Sequence, residues 1–248
     1  MKETRAPWLK YYGDIPKTLD YFDGTMWELV ETIANKYPKL TAYDFMGSKT
    51  TYADFVKKVE MCARSLKAIG VREGDRITIC MPNCPQAIIM FYATNLVGGV
   101  ANMIHPLSSQ NEIEFYLKES GSIYAITLDQ FYNKFEAIRS NVNLANIIIA
   151  SIKDALSPTL KAGYMLTDGR KIAKIPKDAP IIRWKAFMNE GRRYHWKYRA
   201  EKHSDDPAVI LYSGGTTGTT KGILLTNMNF NALAMQTIAM CNRTVTGK

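Results

Sequence analysis

Cysteine is scarce in this chain, at four in 248 residues (Cys62, Cys80, Cys84 and Cys241). That is too few for a disulfide scaffold. Cys80 and Cys84 have Pro82 among the three residues between them, and no second pair or histidine cluster follows at zinc spacing. Buried or part-buried thiols are the expected reading. A long apolar run is also missing. The opening MKETRAPWLKYYG has no secretion-signal core, and the stretch from Ala87 to Ile104 is interrupted by Thr94, Asn95, Gly98, Gly99 and Asn102. A soluble helix followed by a buried strand fits that stretch better than a membrane span. Together these absences point to a reducing, cytoplasmic setting, with at most peripheral membrane contact. Glycine (16) and proline (10) are too few for a fibrous repeat or a disordered linker.

What is present suits a globular protein. The chain has a mass of 28.0 kDa, 46% of its residues are hydrophobic and 22% are charged. A chain of this size hides roughly three quarters of its unfolded surface. Thirty-two Lys and Arg against 23 Asp and Glu leave a net charge of +9, which favours anionic partners: nucleotides, coenzyme A, nucleic acid or an acidic membrane surface.

Local signals lay out the elements. Thr25-Met26-Trp27-Glu28 has the S/T-x-x-E form of a helix start, and Pro38 should stop that helix near Tyr37. Thr51 opens a second helix with Phe55, Val59, Cys62, Leu66 and Ile69 on one face, ending at Gly70. Strands are expected at 76–81, 100–104, 123–128 and 146–151, with helices at 85–97, 109–119 and 131–140 between them. Strands recurring about every 23 residues with intervening helices form βαβ units, and their crossovers require a parallel sheet covered on both faces. The fold class is therefore α/β: a mainly parallel sheet flanked by helices, then an irregular basic segment and a β-hairpin.

Residues 152–204 break the rhythm. The stretch 161–203 holds twelve Lys or Arg and four Asp or Glu, so it carries eight of the nine net charges. Trp184, Phe187, Tyr194, Trp196 and Tyr198 are interleaved with them. No helical periodicity gathers the charges on one face, so a connecting segment whose aromatics pin it to the domain is the favoured reading. The alternative is a basic anion-binding module for nucleic acid or a membrane surface, without catalysis.

The strongest chemical signal comes later. Ala208–Tyr212 is an apolar strand, Ser213-Gly214-Gly215-Thr216-Thr217-Gly218-Thr219-Thr220-Lys221-Gly222 follows, and Ile223–Leu225 is a second strand. Glycines let backbone N–H groups approach phosphate closely, hydroxyls add donors, and lysine adds a point charge. A plain hairpin needs only two to five turn residues, so this composition specifies a phosphate cradle. It is not a Walker loop: Thr220 and Gly222 stand where that motif needs glycine and a hydroxyl residue. His105 before Pro106 reads as a strand-end cap, His195 and His203 as solvated. Ser213 lacks the G-x-S-x-G elbow of a nucleophile.

The string LYSGGTTGTTKGILLTN resembles the phosphate-binding loop of the adenylate-forming (AMP-binding) superfamily, usually YTSGTTGxPKG. Tyr212, Gly215, Thr216, Thr217, Gly218, Lys221 and Gly222 match; Ser213, Gly214 and Thr220 depart from the usual Thr, Ser and Pro. Upstream, Thr51–Phe55, Gly70–Asn83, Gly98-Gly99-Val100 with Pro106, and Asp205–Ala208 also resemble family segments. Similarity spans roughly 25–230 and looks most like long- or medium-chain fatty acyl-CoA synthetases.

That resemblance implies two steps: carboxylate attacks the α-phosphorus of ATP, giving acyl-adenylate and pyrophosphate, and coenzyme A thiolate then displaces AMP. Adenylation gives the acyl carbon a good leaving group. Implied phosphate contacts are Ser213, Gly214, Gly215, Thr216, Thr217, Gly218, Thr219 and Lys221, with Lys221 and Thr217 in catalytic roles and Ser213 the hydroxyl near Mg2+. Family members are about twice as long. The chain is thus expected to be an N-terminal portion of an AMP-binding domain, with a βαβ subdomain at 40–152, a basic connecting segment at 153–204, and the hairpin with its following helix at 205–248. The C-terminal half of the enzyme becomes a partner. Alone, the chain is expected to bind ATP weakly if at all and to make no acyl-adenylate.

Overall fold

The computed structural model describes residues 6–170, 172–213 and 220–241. Its elements follow the local chemistry of the chain. Helix α1 (Met26–Lys36) starts at a reciprocal cap: the Thr25 hydroxyl accepts from the Glu28 N–H at 3.1 Å, and the Thr25 N–H donates to Glu28 Oε2 at 2.7 Å. A short antiparallel hairpin follows, β1 (Thr41–Phe45) and β2 (Ser48–Thr51), an element the alternation upstream of Thr51 did not announce. Helix α2 (Tyr52–Ala68) buries Phe55, Val59, Cys62 and Leu66 along one stripe. It ends at Gly70, whose φ of 95° only glycine adopts freely.

The parallel rhythm is then β3 (Arg76–Cys80), α3 (Pro85–Leu96), β4 (Val100–Met103), α4 (Gln110–Ser120), β5 (Tyr124–Leu128), α5 (Tyr132–Ile138) and β6 (Asn146–Ala150). Each expected element is found, shorter by one or a few residues at some ends. Ala87–Ile104 is a helix and a buried strand, as its polar interruptions required.

The expectation of an irregular 152–204 segment is corrected. It contains α6 (Pro158–Leu166), a short strand β7 (Ile182–Arg183) paired parallel to β6, and α7 (Trp184–Arg193). Helix α7 is amphipathic. Trp184, Phe187 and Gly191 form a stripe of three buried positions, and Lys185, Glu190, Arg192 and Arg193 lie outside it. A stripe that narrow disappears when periodicity is judged across forty strongly charged residues. Its aromatics do pin the segment to the domain, because Phe187 is wholly buried and Trp184 nearly so.

Strands β8 (Pro207–Ser213) and β9 (Lys221–Thr226) complete a seven-stranded sheet of order β7-β6-β5-β3-β4-β8-β9, and α8 (Asn227–Met240) follows. All neighbours are parallel except β8 and β9. One core lies between the sheet and α2, α3 and α7, using Ile77, Ile79, Ile126 and Ile148; the other lies under α4 and α5, using Ile147, Ile149, Ile113 and Phe135. Alternate residues of the same strands thus enter opposite cores, as a sheet covered on both faces requires.

Candidate functional site

The hairpin of β8 and β9 sits where the sheet positions it most firmly on one side and leaves it open on the other. Ala208, Val209 and Ile210 are buried, and β8 pairs with β4 through Ala101 with Val209 and Asn102 with Ile210. Three residues beyond that last rung on each strand come His105 and Ser213, so both lie at the carboxyl edge of the parallel sheet. Ligands of open α/β sheets bind at that edge.

Tyr212 fixes the approach to the loop. Its ring stacks on Tyr116 with centroids 4.2 Å apart, and its hydroxyl donates to the Tyr116 carbonyl at 3.2 Å. Burial pushes the Tyr212 hydroxyl's pKa up, so it remains a neutral donor. Opposite it across the ladder stands Gly222. A Cβ there would lie 3.3 Å from the Tyr212 ring and 3.4 Å from Ile210 Cγ2, so glycine lets β9 close against that ring. Beneath lies a buried polar chain: Asn102 Nδ2 donates to Thr78 Oγ1 at 2.7 Å and Ser120 Oγ at 3.0 Å, and Thr78 Oγ1 donates to Ser122 Oγ at 2.8 Å.

Ser213 and Lys221 face each other as the last pair of the ladder. Ser213 and Thr220 are half-buried and Lys221 is exposed, and Lys221 makes no ion pair with a described residue. The hydroxyl and the ammonium at the two ends of the expected cradle are thus brought together with their donors available. Gly214, Gly215, Thr216, Thr217, Gly218 and Thr219 lie outside the described residues.

Two asparagines that sequence reasoning missed hold the far end of the hairpin. Asn227, the first residue of α8, accepts from the Met26 N–H at 3.1 Å and from Asn95 Nδ2 at 2.7 Å, while Asn95 Oδ1 accepts from the Trp27 N–H at 3.0 Å. This buried pair ties α8 to α1 and α3. The signal available was an excess of asparagine, with Asn227 and Asn231 one helical turn apart in an otherwise apolar stretch.

His105 behaves as a strand-end cap: its Nδ1 accepts from the Leu107 N–H at 3.2 Å. Lys134 fastens the same turn by donating to the Pro106 and Ser108 carbonyls at 3.2 and 2.7 Å. Cys80 and Cys84 are buried in different cores, and His195 and His203 are exposed. Much of the basic segment's charge near α7 is paired: Arg193 with Glu190, Lys197 with Glu201, and Lys202 with Glu73. Arg199 donates to both Glu31 and Glu60, which hold its guanidinium charged at every accessible pH. It is a clasp between helices rather than part of an open basic face.

The comparisons agree with this architecture. The family model described as "AMP-binding enzyme" matches residues 30–247. A long-chain-fatty-acid–CoA ligase of Bacillus subtilis is 31% identical over 232 residues, which is 93% of this chain and 41% of that enzyme. Among solved structures, a long-chain-fatty-acid-CoA ligase (FadD1) from Archaeoglobus fulgidus superposes with a TM-score of 0.70 at 18% identity, over 90% of this chain and 40% of that one. The anthranilate CoA ligase AuaEII, solved with anthranoyl-AMP, gives a TM-score of 0.69 at 20% identity, over 90% and 38%. The chain therefore spans about two fifths of the length of the relatives it matches. On the match across 30–247, the chain belongs to the AMP-binding enzyme family.

Proposed function

We propose that this chain is the portion of an AMP-forming acyl-CoA ligase that carries the pyrophosphate-binding hairpin, in an enzyme that activates a carboxylic acid, of the fatty class, with ATP and transfers the acyl group to coenzyme A. The observation that carries the reading is the pairing of Ser213 with Lys221 at the carboxyl edge of the sheet, which closes a loop made only of glycine and threonine. Residue types support the fit to a polyphosphate: an exposed ammonium with no ion pair to a described residue, a half-buried hydroxyl, and no carboxylate in the sequence between them.

In this reading Lys221 neutralises the β- and γ-phosphates as they leave, Ser213, Thr216, Thr217 and Thr219 donate hydroxyls, and the backbone of Gly214, Gly215 and Gly218 approaches closely enough to donate N–H groups. ATP supplies a leaving group that turns an unreactive carboxylate into an electrophile. Among the described residues no group of three or more His, Cys, Asp or Glu could hold a metal ion, so a magnesium ion here would rest on phosphate oxygens with Ser213 as the protein hydroxyl. The 248-residue unit, with the remaining half of the ligase as its partner, is assigned the phosphate grip and not the complete reaction.

Pyrophosphate titration of the 248-residue chain tests the assignment. Lys221→Ala should weaken binding by about tenfold, the value of one charge-assisted contact. Neutralising Arg192, Arg193 and Lys197 together, with Arg199 left in place for its structural role, should change it little. The reverse pattern would overturn the proposal, as would carboxylate-dependent exchange of labelled pyrophosphate into ATP by this chain alone.

A further inference from the structure

A second concavity lies at the carboxyl edge of the sheet, away from the hairpin. The helices that follow β5 and β7 leave toward opposite faces: Tyr132, Phe135 and Ile138 of α5 enter one core, while Trp184 and Phe187 of α7 enter the other. The carboxyl end of β6 lies between the two departures, and Ser151 there borders a concavity. Divergence of this kind opens a crevice in doubly wound sheets. The crevice here is a cavity of about 530 Å³.

Its lining is one-sided in charge. Among the described lining residues, Lys153, Lys174, Lys177 and Arg183 stand against the single carboxylate of Asp129. None of the four cations makes an ion pair with a described residue. Helix α7 begins directly behind Arg183 with no side-chain cap, so its first N–H groups add positive potential at the same edge. Ser151, at the end of β6, also lines the cavity. It is only 6% exposed, and its hydroxyl has no hydrogen-bond partner among the described residues, an unusual state for a buried polar group and one that a bound acceptor would relieve. Tyr164, Met165 and Ile175 add apolar surface to the same lining.

We propose that this cavity is a binding site for a small phosphoester, with its phosphate among the lysines and an apolar or ring portion against Tyr164, Met165 and Ile175. Three ammonium groups to one guanidinium suit a tetrahedral phosphate, which lysine binds as a point charge, better than a planar carboxylate, which favours the arginine fork. The site is independent of the hairpin and does not rest on its assigned role.

Fluorescence titration of the 248-residue chain with 1-naphthyl phosphate, with 1-naphthol as the uncharged control, tests it. Saturable binding of the phosphate and not of the naphthol is expected. Lys174→Glu with Lys177→Glu, both at exposed positions that folding tolerates, should weaken it at least about tenfold by reversing two charges beside the anion. Ser151→Ala should weaken it by roughly threefold, a fraction of one hydrogen bond, and Lys221→Ala should leave it unchanged. The proposal fails if the chain does not bind the probe, if naphthol binds equally, or if Lys221→Ala abolishes binding that the double charge reversal leaves intact. Binding only to phosphatidylglycerol vesicles would likewise overturn it.

Discussion

Arg199 shows how a single side chain can look functional in the sequence and prove structural in space. It stands in a basic, aromatic stretch where charge alone suggests an anion-binding surface. Its guanidinium instead bridges Glu31 of α1 and Glu60 of α2, with Tyr198 donating to the same Glu60 carboxylate at 3.2 Å. Replacing it leaves two half-buried carboxylates facing each other without a cation. Arg199→Gln should therefore cost about 2 kcal/mol, between the value of an exposed pair and that of a fully buried one. Urea denaturation measures this, and an unchanged midpoint would show that the clasp is ornamental. Lys221 contrasts with it in position: it is exposed, makes no ion pair with a described residue, and has Ser213 directly across from it in the register.

At the scale of elements, the close contact of α7 with α2 depends on one glycine. A Cβ on Gly191 would collide with the Met61 carbonyl oxygen and lie 2.5 Å from Ser65 Oγ. The backbone of α2 cannot yield there, because Ser65 already donates to that carbonyl at 2.9 Å. Gly191→Ala should destabilise the chain by roughly 2–3 kcal/mol through overpacking. Gly163→Ala, in α6 with nothing within 4 Å of the new methyl, should be neutral or stabilise by up to about 1 kcal/mol through helix propensity. Thermal melts of the two variants give the comparison, and equal shifts would refute the packing argument. Element starts were legible because a cap needs only its own four residues, as at Thr25 and Ser109. The β1–β2 hairpin and β7 were not, since β1 and β2 are mostly half-buried or exposed, without the nearly continuous burial of β3 to β6, and β7 has only two residues.

For the whole molecule, burial makes its thiols report on folding. Cys62, Cys80 and Cys84 are buried and Cys241 is half-buried. An aromatic disulfide reagent should titrate one thiol quickly in the native chain and three more only on unfolding; four fast thiols would contradict the two cores. Burial pushes the Cys80 pKa from its ordinary 9.0 up to about 12, and those of Cys62 and Cys84 upward too. The folded state thus holds these protons while the unfolded state releases them. Their contribution is fully present below pH 9 and is lost as pH climbs, by about 1.4 kcal/mol for Cys80 at pH 10, with losses of the same sign from Cys62 and Cys84. Urea midpoints at pH 7 and pH 10 measure that loss.

Sequence alone determined whatever depends on a few neighbouring residues: helix caps, the glycine at the end of α2, the alternation of strand and helix that makes the sheet parallel, and a loop composition suited to phosphate. Tertiary structure decided what depends on segments remote in the chain. It set β8 beside β4, made Tyr116 the platform for Tyr212, joined Asn95 to Asn227, turned Arg199 inward, and left a cavity at the end of β6 between helices departing to opposite faces. The physical reason is one of range. Backbone hydrogen bonds and φ preferences act within a turn or two, whereas strand order and burial arise only when the sheet closes its two cores and fixes which side chains can meet.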